Sequence, residues 1–121
     1  MLAAALALIA ATPDPQAEAL RASFAGWYTE VEDDLGSGDS RVTGVVTDGC
    51  TTTITGEKGR WTIGWRSVRT VALEDVFVFL EGPGVKLAVV ADVRSEADLS
   101  KLRGMRDAMV ALANRCGGKL P

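Results

Sequence analysis

The stretch that decides the fold is Trp61–Val90, which reads WTIGWRSVRTVALEDVFVFLEGPGVKLAVV. Apolar and polar residues alternate through it in short runs, separated by Glu74-Asp75 and Glu81-Gly82-Pro83-Gly84. A period of two marks a half-buried strand, and Gly-Pro clusters mark turns. Trp61, Ile63 and Trp65 therefore share one strand face, and Thr62, Gly64 and Arg66 share the other. The step from Trp65 to Val68 is three residues, which predicts a half-turn or bulge at Arg66-Ser67. Val76–Leu80 is apolar on both faces and predicts a strand covered on both sides. No connection is long enough for a parallel crossover, so the stretch predicts an antiparallel meander.

Working outward, Arg41–Thr47 and Cys50–Gly56 flank Asp48-Gly49, a dipeptide that signals a two-residue hairpin. The expected register sets Thr47 opposite Cys50, Val45 opposite Thr52 and Thr43 opposite Ile54. Alternation puts Cys50, Ile54 and Val45 on one face, with Thr51, Thr53, Thr55, Val42 and Val46 on the other. Glu57-Lys58-Gly59 turns the chain into the Trp61 strand.

Helices are predicted on both sides of the meander. Asp14 suits an N-cap and Pro15 a first helical position. Leu20, Phe24, Trp27, Tyr28 and Val31 then line one helical face, which carries this helix as far as Glu30–Asp34. That end is acidic, against the macrodipole. The acidic run and Leu35–Asp39 raise a calcium loop, but the EF-hand spacing is absent and a solvated acidic patch is the better reading. At the other end, Ser95 is an N-cap for a helix whose face is Leu99, Leu102, Met105, Met109, Leu112 and Cys116. Lys101, Arg103 and Arg106 lie off that face, and Gly117-Gly118 stops the helix.

Cys50 and Cys116 are the only cysteines, and both point with buried stripes. A disulfide between them is expected; closing so long a loop contributes about 4 kcal/mol in the chain-entropy model. The spacing is not a C-x-x-C redox motif, and with no histidine in the chain a zinc site has little to draw on. The opening residues 1–11 are almost wholly apolar, too few for a membrane span and suited to a signal peptide, though its n-region holds no Lys or Arg. Residues 12–121 are then one mature domain without an integral membrane span, and the expected location is periplasmic or secreted. Charge is uneven along the chain. Residues 12–40 hold seven acidic groups and one basic group, while residues 93–121 hold six basic and three acidic. This suits two helices of opposite sign better than the concentrated basic face that nucleic acid requires.

No catalytic signature emerges. Glu74-Asp75 reads as a turn, no serine sits in a nucleophile elbow, and no helix follows Gly82-Pro83-Gly84 to cradle a phosphate. Arg66 and Arg69 are the polar residues of the central stretch singled out for binding, with no catalytic, metal or cofactor site assigned. The chain is thus read as an α+β domain: an N-terminal helix, an antiparallel meander of five to six strands in a bent sheet or partial barrel, and a C-terminal helix. Its expected role is a non-enzymatic binding or accessory module for an unknown protein or small ligand. The alternatives are a small enzyme using arginine and carboxylate groups, or an inhibitor or partner-recognition protein.

Ile63-x-Trp65-x-x-Val68-x-x-Val71, the strands Val76–Leu80 and Val85–Val90 and a closing helix resemble bacterial pleckstrin-homology-like and GRAM-like domains. The resemblance covers about half the chain. It implies a bent sheet capped by a helix, with a scaffold or binding role, and carries over no ligand-binding residue. That fold uses seven strands, and the N-terminal helix, disulfide and export segment are additions to it.

Overall fold

The computed structural model of the chain describes residues 14–33 and 40–121. The proposed signal segment and the Leu35–Asp39 stretch weighed as a calcium loop lie outside the described residues. Helix α1 (Pro15–Phe24) leads into β1 (Thr29–Asp33), β2 (Ser40–Asp48), β3 (Thr51–Gly56) and β4 (Arg60–Gly64). A 3₁₀ turn at Trp65–Ser67 joins β4 to β5 (Thr70–Glu74), β6 (Phe77–Gly82) and β7 (Val85–Ala91), and α2 (Glu96–Arg115) closes the chain. The fold is α+β as expected, and the 3₁₀ turn falls where the Trp65–Val68 phase break placed a half-turn.

The sheet has seven strands in the order β4-β3-β2-β1-β7-β6-β5, every pair antiparallel. One more strand is present than the five to six expected. The addition is Thr29–Asp33, which the apolar spacing assigned to the end of the first helix. The helix stops instead after Phe24, and Gly26 turns the backbone at φ 84°. Beyond that break the β-branched Thr29 and Val31 alternate inward and are buried, while Glu30 and Glu32 alternate outward. The acidic run therefore opposes no helix dipole, because no helix is there.

The β2–β3 hairpin differs by one residue from expectation. Asp48 pairs with Thr51, Thr47 with Thr52 and Val45 with Ile54, so the loop is Gly49-Cys50. Gly49 has φ 60° and Cys50 does not share a positive φ, the pattern of a type II′ turn led by glycine. A type I′ turn at Asp48-Gly49 would have forced positive φ on the aspartate. Moving the turn by one residue shifts every cross-strand partner by two, so Val45, Thr52 and Ile54 stay buried and Val46 exposed, but a bulge between Val42 and Gly44 turns Val42, expected outward, against the core.

The sheet is curled and open. In a flat sheet β4 and β1, three strands apart, would be separated by about 14 Å. Yet the Trp61 indole N–H on β4 donates to Asp33 Oδ2 on β1 at 3.0 Å. The fold pivots where β1 and β2 share only two aligned pairs, Glu30 with Arg41 and Val31 with Ser40. Both flanks then face one core, which includes Val45, Ile54, Ile63 and Trp65 from one side and Val78, Leu80 and Val89 from the other. Val76–Leu80 was expected to be covered on both faces. Val78 and Leu80 are buried, and Phe77 and Phe79 stack on the outer face with ring centroids 5.5 Å apart, half-buried.

The two helices lie antiparallel against each other, α1 on β2 and α2 on β5, β6 and the 3₁₀ turn. Asp14 caps α1 by accepting from the backbone N–H groups of Gln16 and Ala17, and Ser95 caps α2 through Asp98 N–H. Leu102, Met105, Met109 and Leu112 are wholly buried, which is the stripe read from their spacing. At the far end of α1, the Lys101 ammonium donates to the Ala25 carbonyl and lies 5.2 Å over the Trp27 ring.

Candidate functional site

The two ends of the curled sheet are built differently. At one end, Cys50 and Cys116 form the expected disulfide, tying the β2–β3 turn to the end of α2. Arg115 reinforces it, donating to both carboxylate oxygens of Asp14 at 2.7 Å and to the Gly49 carbonyl at 2.8 Å. Hydrogen bonding to Arg115, ahead of the Ala17 N–H, holds the Asp14 carboxyl below its usual 3.8. Just inside, the buried Trp65 indole N–H donates to Thr52 Oγ1 at 2.7 Å, and Thr52 shares a 2.7 Å bond with Thr47. Every buried polar side-chain atom among the described residues has a partner.

At the other end of β3 and β4 the sheet stays open. A hollow of about 490 Å³ lies between β4 and the β6–β7 hairpin, walled by Trp61, Val85 and Leu87 with Asp33, Glu81 and Lys86 at its rim. Gly82 makes this wall possible. A Cβ there would stand 1.9 Å from the Ser67 carbonyl oxygen, so only glycine lets the hairpin press against the 3₁₀ turn. The Arg69 N–H donates to the Glu81 carbonyl at 2.7 Å and fixes the same junction.

A second groove of about 430 Å³ adjoins the hollow across Asp33, Glu81, Lys86 and Leu87. It runs over the outer face of β5–β7, floored by Ala72, Phe79 and Ala88 and flanked by Glu32, Glu74 and Glu81. Together the two depressions carry four carboxylates, from Glu32, Asp33, Glu74 and Glu81, against the single ammonium of Lys86. Their chemistry is an apolar floor in an acidic surround.

The arginines singled out from the sequence do not meet at this place. Arg66 is exposed on the 3₁₀ turn, and Arg69 folds back to donate to the Arg66 carbonyl at 2.8 Å. Neither lines the hollow or the groove. The turn expected at Glu74-Asp75 falls one residue later: Glu74 ends β5 paired with Phe77, and the loop is Asp75-Val76, with Asp75 at φ 52°. Of the residues that do gather, Asp33 comes from the end of β1, whereas Glu81 and Lys86 face each other across the β6–β7 hairpin. Among the residues lining the hollow, Trp61 was legible as a member of the strand face Trp61, Ile63 and Trp65.

Among the described residues, no group of three His, Cys, Asp or Glu side chains is placed to hold a metal ion. No helix among them is long and apolar enough to cross a membrane. On the outer face of β1–β2 the Tyr28 hydroxyl donates to Glu30, which raises the phenol above its usual 10.0, and Arg41 lies 5.4 Å over the ring. Tyr28 and Arg41 are exposed there, and Glu30 is half-buried.

No protein-family model matches the chain, and no curated protein matches it. The solved structure of inner membrane complex sub-compartment protein 3 from Toxoplasma gondii is similar, with a TM-score of 0.56 at 12% identity. The match covers 82% of this chain and 86% of that one. At that identity the two share a fold.

Proposed function

We propose that this chain is an exported, non-enzymatic binding module that takes its partner at the open end of the curled sheet. The observation that carries the reading is the hollow of about 490 Å³ between β4 and the β6–β7 hairpin. It pairs apolar walls with a few convergent polar groups, the composition of binding pockets generally. The disulfide supports export, because such bonds persist in oxidising compartments, and so does the apolar segment 1–11. The reading keeps the binding role that the resemblance to pleckstrin-homology-like domains implies.

The test uses the full chain in cells that export it. A photo-crosslinking residue at Thr62, on the wall of the hollow, is expected to trap a partner, whereas one at the exposed Arg103 of α2 is not. Equal yields from both positions would remove the mouth as the binding site. Amino-terminal sequencing of the same material is expected to begin near Thr12. Protein retaining residues 1–11 with both thiols free would overturn the export reading.

A further inference from the structure

We propose that the occupant of this mouth is an extended basic peptide segment, added antiparallel or parallel as a further strand on the free edge of β4. The inference rests on the mouth being the binding site and names what fills it. Its first support is the hydrogen-bond phase of the β3–β4 ladder. Trp65 N–H donates to the Cys50 carbonyl at 2.9 Å, and Gly56 N–H to the Gly59 carbonyl at 2.8 Å. Paired residues in an antiparallel ladder alternate between bonded and non-bonded positions. Between those two anchors Trp61 and Ile63 must therefore bond to Ile54 and Thr52, their register partners. The peptide groups of Arg60, Thr62 and Gly64 point the other way.

β4 is the terminal strand of the sheet, so no strand among the described residues meets that row. Thr62 stands in the middle of it and lines the hollow. The opposite terminal strand, β5, is different, because α2 packs on it. Exposed edges invite strand addition unless they are covered, charged or distorted. Recognition by strand addition draws affinity from main-chain bonds and selectivity from alternate side-chain pockets.

The second support is charge. A segment on this edge directs every other side chain into the hollow, toward Trp61, Val85 and Leu87, whose rim holds Asp33 and Glu81. Residues that overrun the hairpin enter the adjoining groove, with Glu32 and Glu74 on its flanks. Four carboxylates against one ammonium repel an acidic segment and favour lysine or arginine between apolar residues.

A displayed library of random octapeptides selected on the full, oxidised chain tests the proposal. Enriched peptides are expected to alternate basic or apolar residues, and a synthetic representative should shift the Thr62 amide and Trp61 indole NMR signals. Thr62→Pro removes the edge donor while leaving the Trp61 and Ile63 bonds to β3 in place, and is expected to weaken binding at least tenfold. Should that variant fail to fold, N-methylation of alternate peptide amides supplies the same loss from the ligand side. Glu81→Lys should likewise weaken binding at least tenfold. Absence of enrichment, enrichment of acidic peptides, or indifference to both edge blocks would overturn the proposal. Partner crosslinks at Thr62 without any enriched basic peptide would remove this occupant and leave the mouth standing; loss of both would remove both.

Discussion

The disulfide end and the open end lie at opposite ends of β3 and β4, about 13 Å apart along the strands, and have almost nothing in common chemically. At the closed end a covalent bond, a guanidinium spanning Asp14 and Gly49, and a buried Trp65–Thr52 bond converge on one turn. Polar groups there are paired with one another. At the open end an indole and a carboxylate meet across the fold, and apolar walls face solvent. The staples join the start of α1, the β2–β3 hairpin and the end of α2, and leave the other end open.

That division can be broken by experiment, most forcefully at the staple. Replacing both Cys50 and Cys116 with alanine frees a loop spanning 66 positions and is expected to cost about 4 kcal/mol, read from urea unfolding midpoints. If the ends are independent, the Trp61 indole signal of the folded variant stays where it was. A large shift would show that the mouth depends on the staple.

Thr52→Val keeps the shape but strands the buried Trp65 N–H without its acceptor. The expected loss is about 1–3 kcal/mol, measured the same way. A near-zero effect would mean that the closed end has slack that the paired polar groups do not suggest.

Asp14→Ala removes the α1 cap together with the Arg115 contact and is expected to cost about 1 kcal/mol. The carboxyl is held below its usual value by Arg115, so the unfolded chain takes up the proton first as pH falls. Its contribution is thus complete above about pH 5 and lost as pH drops through the folded value. Unfolding midpoints of the two proteins should converge in acid. A gap that persists well below that range would assign the effect to something other than the carboxylate.

Trp61→Phe carries the smallest expected effect. It deletes the bond to Asp33 from a half-exposed pair, so stability should change by less than about 1 kcal/mol. Binding at the mouth is where the substitution should be felt. A loss as large as that of the disulfide would place structural weight at the open end and erase the contrast.

Much of the closed end was legible in the sequence. Cys116 fell on the Leu102–Leu112 stripe and Cys50 on the Val45–Ile54 face, so their meeting followed from two independent periodicities. Even the misplaced hairpin turn preserved those faces, because its error moved partners by an even number. The open end was nearly invisible. Arg66 and Arg69 drew notice as polar residues in an apolar stretch, yet neither lines the hollow. Asp33 belonged to a segment read as helix, since Leu20, Phe24, Trp27 and Val31 satisfy helical spacing by themselves. Only the left-handed turn at Gly26 interrupts them, and a glycine can be tolerated inside a helix at modest cost.

The sequence by itself determined the elements that local rules govern. Two caps, the stripe of the closing helix, most of the strand alternation after Gly44 and the inward aim of both cysteines all follow from side-chain geometry over a few residues. Tertiary structure alone decided that Thr29–Asp33 is a strand, because its hydrogen bonds go to β2 and β7, the latter more than fifty residues onward. It also decided that the sheet curls enough for Trp61 to reach Asp33, and that β4 is left with one edge free. Strand order and curvature depend on which distant edges find each other, and no local pattern encodes that meeting.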